Sequence, residues 1–139
     1  MLLSRPAVNA WACQDVQVGD VVAWPTSLGW MMGPWLIFAS LLNRAAIGLF
    51  LGAPTGRPFC QFVANARVTM LGVIPSIVKA WKGSAATDGL DWSSIRCLSS
   101  SGEVGIVCWH AAKQVHDLRT VLVCELVGAN IALLRCMLC

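Results

Sequence analysis

The sequence predicts an α/β fold of parallel βαβ units, in which helices cover both faces of a sheet. Short apolar runs of strand length alternate with segments of helical periodicity, and Pro or Gly separates them. The 139 residues suffice for one domain, and 57% of them are hydrophobic, which excludes an intrinsically disordered chain. The net charge is +3, but the basic residues are spread from Arg5 to Arg135 without a cluster, which argues against a nucleic-acid binder. Because only 12% of the residues are charged, we expect either a membrane protein or part of a larger structure.

The first predicted helix and strand lie in the apolar stretch 30–51. Gly33-Pro34 is typical of a helix start, Asn43 lies near the predicted helix end, and residues 46–51 are expected to form a buried strand. The stretch is also long enough to cross a bilayer. Arg44 lies past its middle, however, and a central Arg costs about 2.5–3.5 kcal/mol on insertion. We therefore expect no span, and a small membrane protein spanning 30–51 stays an alternative.

A second helix and strand follow the first pair. Pro58 begins a segment with apolar residues at one face of a helix, and residues 68–73 form a short apolar run that predicts a strand. The apolar positions of this helix are Phe59, Phe62, Val63 and Ala66.

The pattern then repeats. Pro75 begins a helix with Ile77, Val78 and Trp81 facing inward, and the small polar residues 83–89 predict a loop. Residues 95–98 predict a strand that ends in a Ser/Gly loop. Farther on, we expect a helix over residues 106–115 and a strand over residues 120–124.

Ligands of open α/β sheets bind where strands end at their carboxyl termini. Two predicted loops occupy such positions: residues 52–56 (GAPTG) and residues 99–103 (SSSGE). Backbone N–H groups in such loops can hold a phosphate or a ribose, although these loops more often only turn the chain. The absence of acidic residues between Val21 and Thr87 favours an anionic ligand, and solvated basic helix faces explain it equally well.

The seven cysteines lie within apolar runs and indicate small buried hydrophobic residues in a reducing compartment. We expect no metal site, since Cys108, His110, His116 and Cys124 have a spacing that matches no standard zinc site.

Five sequence blocks occur in an order that resembles the large N-terminal adenylating domain of AMP-forming acyl-CoA synthetases. The resemblance is greatest to plant acyl-activating enzymes that are similar to acetyl-CoA synthetase. It assigns residues 8–104 to a partial AMP-binding domain and leaves residues 105–139 as a divergent tail. The blocks are residues 19–24 (GDVVAW), 29–35 (GWMMGPW), 51–54 (LGAP), 68–76 (VTMLGVIPS) and 95–103 (IRCLSSSGE).

The resemblance implies an ATP-dependent ligation of a small-molecule carboxylate to coenzyme A through an acyl-adenylate, with Mg²⁺ in the parent family. It implies positions for three groups of residues. Nucleotide-binding positions are Gly102, Glu103 and Val104. Positions in the carboxylate pocket are Trp30, Met31, Met32 and Ser101, with a structural helix start as the alternative for the first three, and coenzyme A positions are Met32 and Thr55.

The sequence also departs from the family pattern. The phosphate-binding loop with its Lys is expected upstream of Val8, and the catalytic Lys of the C-terminal domain beyond Cys139. The family's Tyr-Gly-x-Thr-Glu block is expected near residues 125–131, which read ELVGANI here. A non-catalytic truncated paralogue is therefore the alternative to a ligase, and no cofactor is assured for this chain. By resemblance the compartment is cytosolic or peroxisomal, although residues 137–139 (MLC) are no peroxisomal signal.

Overall fold

A computed structural model of the protein describes residues 4–100 in full and the strands at 120–127 and 130–137 as backbone. Helices and strands alternate along the described part, as the sequence predicts. The helices are α1 (Ser4–Gln14), α2 (Met32–Leu42), α3 (Arg57–Asn65) and α4 (Pro75–Gly83). The strands are β1 (Val21–Ala23), β2 (Ala46–Gly48), β3 (Met70–Val73), β4 (Cys97–Ser100), β5 (Thr120–Val127) and β6 (Asn130–Met137).

The described strands form one sheet in the order β2-β1-β3-β4-β5-β6. Every neighbouring pair from β2 to β5 is parallel, and β6 runs antiparallel to β5. This confirms the predicted parallel α/β class and the strand predicted at 120–124. The helix predicted at 106–115 lies outside the described residues. Because parallel strands end on the same side, the segments that follow β1, β2 and β3 begin along one edge of the sheet.

Helices pack on both faces of the sheet, as predicted. Alternate strand residues point to opposite faces, so Met70 and Cys97 contact one helical layer whereas Leu71 and Leu98 contact the other. The layer of α1 and α2 contributes Ala10, Trp35, Leu36 and Ala39, and the layer of α3 and α4 contributes Phe59, Cys60, Val63, Ile77, Val78 and Trp81.

The predicted buried strand at 46–51 is wrong in its length and burial. Strand β2 ends at Gly48, and Leu49 and Leu51 are exposed. Among the described residues β2 pairs with β1 alone and forms the edge of the sheet, so its residues are covered on fewer sides than those of β1 or β3. The apolar character of this run therefore does not reflect burial.

The strand predicted at 95–98 is displaced by two residues. Strand β4 runs from Cys97 to Ser100, and both of its serines are buried. Pairing with β3 causes this shift, because Ser99 and Ser100 lie opposite Gly72 and Val73. The first two residues of the predicted Ser/Gly loop are thus part of the sheet.

Within residues 4–100 and the two further strands, no helix is long and apolar enough to cross a membrane. The stretch 30–51 is divided between α2, which has 11 residues, and β2. The division follows the sequence signals at Gly33-Pro34 and Asn43, which begin and end α2.

In the fully described part of the chain, Cys60 and Cys97 are buried as predicted, whereas Cys13 is half-buried. Burial raises the pKa of the Cys60 thiol from 9.0 to about 11, and the positive charge of Arg57 opposes the rise. The folded state therefore retains the Cys60 proton at pH values where the unfolded chain loses it.

We expect the stabilising contribution of Cys60 to be complete below pH 9 and to be lost as the pH rises toward 11. Urea titrations of the wild type and Cys60→Ala at pH 8 and at pH 10.5 measure this effect. The difference in unfolding free energy between the two proteins should shrink at the higher pH, and a constant difference would contradict the assignment. As an independent check, Cys60 should resist alkylation at pH 8 whereas the half-buried Cys13 reacts.

Candidate functional site

A cleft of about 290 Å³ opens at the carboxyl ends of β1 and β2. Two loops form its walls: residues 24–26, which directly follow β1, and residues 49–54, which directly follow β2. This is the position at which open α/β sheets bind ligands. The lining residues are Ala23, Trp24, Pro25, Thr26, Gly48, Leu49, Phe50, Gly52, Pro54 and Phe59.

The cleft combines apolar side chains with polar atoms of its loops. None of the described residues that line it carries a charge, and Thr26 supplies a hydroxyl group. Its volume is slightly below the range of about 300–1,000 Å³ that is typical of complete small-molecule pockets. The described side chains that line the cleft therefore offer no charge to a phosphate or a carboxylate group.

Trp24 forms one wall of the cleft and is held from two sides. Its indole packs edge-to-face against Trp35, with ring centroids 5.4 Å apart. It also lies directly on Gly72 of β3, where a Cβ atom would be 1.9 Å from Cδ2 of the indole. Only glycine at residue 72 allows the ring to approach the sheet so closely, so the sheet itself fixes the position of this wall.

The loop of residues 49–56, which we call the 49–56 loop, forms the opposite wall. Phe50 packs against Phe59 and Phe62, each at 5.4 Å between ring centroids. The indole N–H of Trp81, on α4, donates a hydrogen bond of 2.6 Å to the carbonyl oxygen of Pro54. Gly52 has φ +148°, a conformation that L side chains rarely adopt. Together these contacts and the conformation of Gly52 fix the backbone path of the loop, although it contains no helix or strand.

The predicted pocket residues Trp30 and Met31 lie in the turn before α2 and are exposed, at 74% and 63% of their side-chain surface. Met32 is half-buried at the first position of α2. Among the described residues, Trp30 and Met31 are not part of the core, and their predicted place in the carboxylate pocket stays a prediction. Gly33 allows this turn to close, because a Cβ atom there would lie 2.3 Å from the carbonyl oxygen of Ser27.

The structure distributes the predicted site residues over two places. Thr55 is exposed on the 49–56 loop, next to the cleft residue Pro54, whereas residues 30–32 lie at the start of α2. Ser101, Gly102, Glu103 and Val104 lie outside the described residues, directly after β4 in the sequence. Among the residues the structure describes, none of the predicted positions lines the cleft itself.

Sequence reasoning missed the aromatic residues of the cleft. Trp24-Pro25, directly after the short apolar run at residues 21–23, was the available signal for one wall, since loops at carboxyl ends of strands bind ligands. No local signal pointed to Trp81, which approaches the loop only after α4 has packed on the sheet.

The charges of the described part lie away from the cleft. Asp20, before β1, is buried and pairs with Arg96, before β4, at the amino ends of these strands. The basic residues that favoured an anionic ligand are exposed, and none of them lines the cleft: Arg44, Arg57, Arg67, Lys79 and Lys82. Within the described residues, no three His, Cys, Asp or Glu side chains are grouped as a metal site. Three of the residues considered for zinc, Cys108, His110 and His116, lie outside them.

Two curated plant proteins are similar to this chain over most of its length. It is 60% identical over 99 residues to "Probable acyl-activating enzyme 17, peroxisomal" of Arabidopsis thaliana, a match that covers 71% of this chain. It is 55% identical over 103 residues to "Hexanoyl-CoA synthase" of Cannabis sativa, which covers 74% of this chain. In each case the match spans 14% of the length of the relative.

A solved structure gives the same fold. "Acetoacetyl-CoA Synthetase from Streptomyces lividans" superposes with a TM-score of 0.75 at 24% sequence identity, covering 89% of this chain and 21% of that protein. No protein-family model matches the chain. The two plant relatives nevertheless confirm the resemblance that the sequence blocks indicate. The chain therefore belongs to the AMP-forming acyl-CoA synthetases, and it matches one segment of their plant acyl-activating members.

Proposed function

We propose that this chain forms part of the adenylating domain of an ATP-dependent acid–thiol ligase. In the proposed reaction a carboxylate attacks the α-phosphorus of ATP, and pyrophosphate leaves as the acyl-adenylate forms. The sulfur of coenzyme A then attacks the acyl carbonyl, loses its proton and displaces AMP. The observation that carries the proposal is the cleft at the carboxyl ends of β1 and β2, next to blocks that match the family.

The proposed roles keep the positions that the resemblance implies. Gly102, Glu103 and Val104 bind the nucleotide, and residues 30–32 with Ser101 form the carboxylate pocket. Met32 and Thr55 contact coenzyme A. Thr55 follows the cleft residue Pro54, and the uncharged chain of coenzyme A that carries the thiol suits a cleft lined by apolar side chains and uncharged polar atoms. Burial there would exclude water from the thioester-forming group.

A second candidate is a protein that binds these ligands without adenylating a carboxylate. Residues 125–131 favour it, because they lack the adjacent Thr-Glu pair that the family places there near phosphate and Mg²⁺, and Glu125 is followed by Leu126. Without these groups the charge that develops on the phosphates has less stabilisation. The described residues offer no replacement cluster, so no step here is assigned to Mg²⁺.

For location and partners we propose a cytosolic or peroxisomal protein that takes a small-molecule carboxylate and a nucleotide. The printed name of the Arabidopsis relative, which includes "peroxisomal", supports the second compartment. Fractionation of cells that express the full chain with an internal epitope tag would test it.

The direct test is a calorimetric titration of the full 139-residue chain with coenzyme A. We expect saturable binding that weakens about fivefold in Thr55→Ala, the effect of one net hydrogen bond. Ser76→Ala is the matched control, since Ser76 is an exposed hydroxyl residue on α4. Absence of binding, or equal weakening in both variants, would contradict the proposal. Pyrophosphate release from ATP and hexanoate then separates the ligase from the non-catalytic candidate.

A further inference from the structure

The side chain of Trp81 connects the helical layer to the cleft. It is buried on α4, and its indole N–H donates to the carbonyl oxygen of Pro54, 27 residues earlier in the chain. The acceptor belongs to the 49–56 loop, in which Leu51, Gly52, Ala53 and Thr55 are exposed. The hydrogen bond therefore reaches the exposed second half of a loop whose first half is held by Phe50 against Phe59 and Phe62.

The indole of Trp81 is fixed independently of this hydrogen bond. It stacks on Phe59 of α3, with ring centroids 5.7 Å apart and an angle of 17° between the ring planes. It also packs edge-to-face against Trp92, at 5.7 Å and 90°. Because two rings hold the donor, the position of the N–H group determines where the loop lies rather than the reverse.

We propose that Trp81 is a positioning residue, which places the 49–56 loop as a wall of the cleft and places Thr55 for contact with coenzyme A. The inference rests on the proposed function for its ligand, but the fixing of the loop is a property of this chain alone. Without the N–H donor, the loop samples other conformations, so a smaller fraction of the molecules is competent to bind coenzyme A. The apparent affinity for coenzyme A falls by the same factor as this fraction.

Trp81→Phe tests the proposal, because it removes the N–H donor and keeps an aromatic ring on Phe59. Trp92→Phe is a closely matched control from the same aromatic cluster. The indole N–H of Trp92 donates over 3.1 Å to the carbonyl oxygen of Cys60, which belongs to α3 and not to the loop. Both variants lose one hydrogen bond and the same number of ring atoms, and only Trp81→Phe releases Pro54.

Hydrogen exchange of the full chain, read by mass spectrometry over residues 49–56, gives the first result. Trp81→Phe should raise exchange in this segment about five- to tenfold, as expected for loss of one net hydrogen bond, and Trp92→Phe should leave it within about twofold of the wild type. An equal rise in both variants, or no rise in Trp81→Phe, would overturn the proposal. So would global unfolding of Trp81→Phe alone, since the indole would then serve overall stability.

Titration with coenzyme A gives the second result. Trp81→Phe should weaken binding about five- to tenfold while Trp92→Phe stays within about twofold of the wild type. Binding that is unchanged in Trp81→Phe would overturn the role toward the ligand. If the wild type does not bind coenzyme A but the exchange contrast is present, the proposed function fails and the positioning of the loop stands.

Discussion

Replacing Gly72 by alanine is expected to destabilise the protein by about 3 kcal/mol, the upper part of the range for overpacking in a core. The added Cβ atom would lie 1.9 Å from Cδ2 and 2.1 Å from Cε3 of the Trp24 indole. No non-bonded carbon atoms approach so closely, so the indole must leave the sheet. Trp24 is buried and packs on Trp35, and its displacement would therefore open part of the core.

Urea denaturation followed by circular dichroism measures this loss. Gly83→Ala is the control, because Gly83 lies at the end of α4 with nothing within 4 Å of an added Cβ atom. Alanine there should be neutral or stabilising by up to about 1 kcal/mol, as its helix propensity predicts. A Gly72→Ala protein as stable as the wild type would show that Trp24 does not lie on β3 as described.

A double variant tests the contact between these two residues directly. Trp24→Leu removes the ring that the new methyl group would meet, so Gly72→Ala should cost less in that background. We expect an interaction free energy of about 1 kcal/mol or more from the double-mutant cycle. Strictly additive effects would assign the cost of Gly72→Ala to another cause, such as strain within β3.

Replacing Asp20 by asparagine is expected to destabilise the protein by about 2 kcal/mol, since it removes a buried carboxylate from a hydrogen-bonded ion pair. The carboxylate accepts a hydrogen bond from Nη2 of Arg96 and another, of 2.7 Å, from the backbone N–H of Gln17. Asparagine has the same shape and keeps an acceptor for Gln17, but it leaves Arg96 without its buried countercharge. The expected loss of unfolding free energy is smaller than the loss for a fully buried ion pair, because Arg96 is partly exposed to solvent.

Asp15→Asn is the matched control for this prediction. Asp15 contacts the same arginine, at 3.3 Å from Nη1, but 64% of its side-chain surface is exposed. An exposed ion pair of this kind contributes less than about 1 kcal/mol, because solvent and salt screen it. Urea titrations of both variants at low and high salt compare the two pairs. Equal losses for Asp15→Asn and Asp20→Asn would contradict a special role for the buried carboxylate.

Helices α2, α3 and α4 were predictable because their signals are local. Proline at the start of α3 and α4 lacks the backbone N–H that a helix start leaves unpaired, and its fixed φ suits the first turn. The inward positions Ile77, Val78 and Trp81 follow from the helical period alone, and all three are buried. The limits of β2 and β4 were not predictable in this way, because pairing with neighbouring strands decides where a strand begins and ends.

The candidate site was predictable only in part. The sequence indicated the loops that follow the strands, and the 49–56 loop does form a wall of the cleft. The roles of Trp30, Met31, Met32 and Thr55 remain predictions from the family resemblance. The aromatic residues that shape the cleft were missed, since Trp24, Phe50 and Phe59 are ordinary core residues by composition and spacing.

The sequence by itself determined the α/β class, the approximate places of α2, α3 and α4 and the family to which the chain belongs, whereas α1 was not predicted. These properties depend on hydrophobic periodicity, on the positions of Pro and Gly and on short sequence blocks, all of which are local features of the sequence. The tertiary structure alone decided that Trp24 lies on Gly72, that Trp81 reaches Pro54 and that Asp20 pairs with Arg96. These contacts join residues that are 27 to 76 positions apart in the sequence. They form only because β1 lies between β2 and β3 in the sheet and because α4 packs against the sheet.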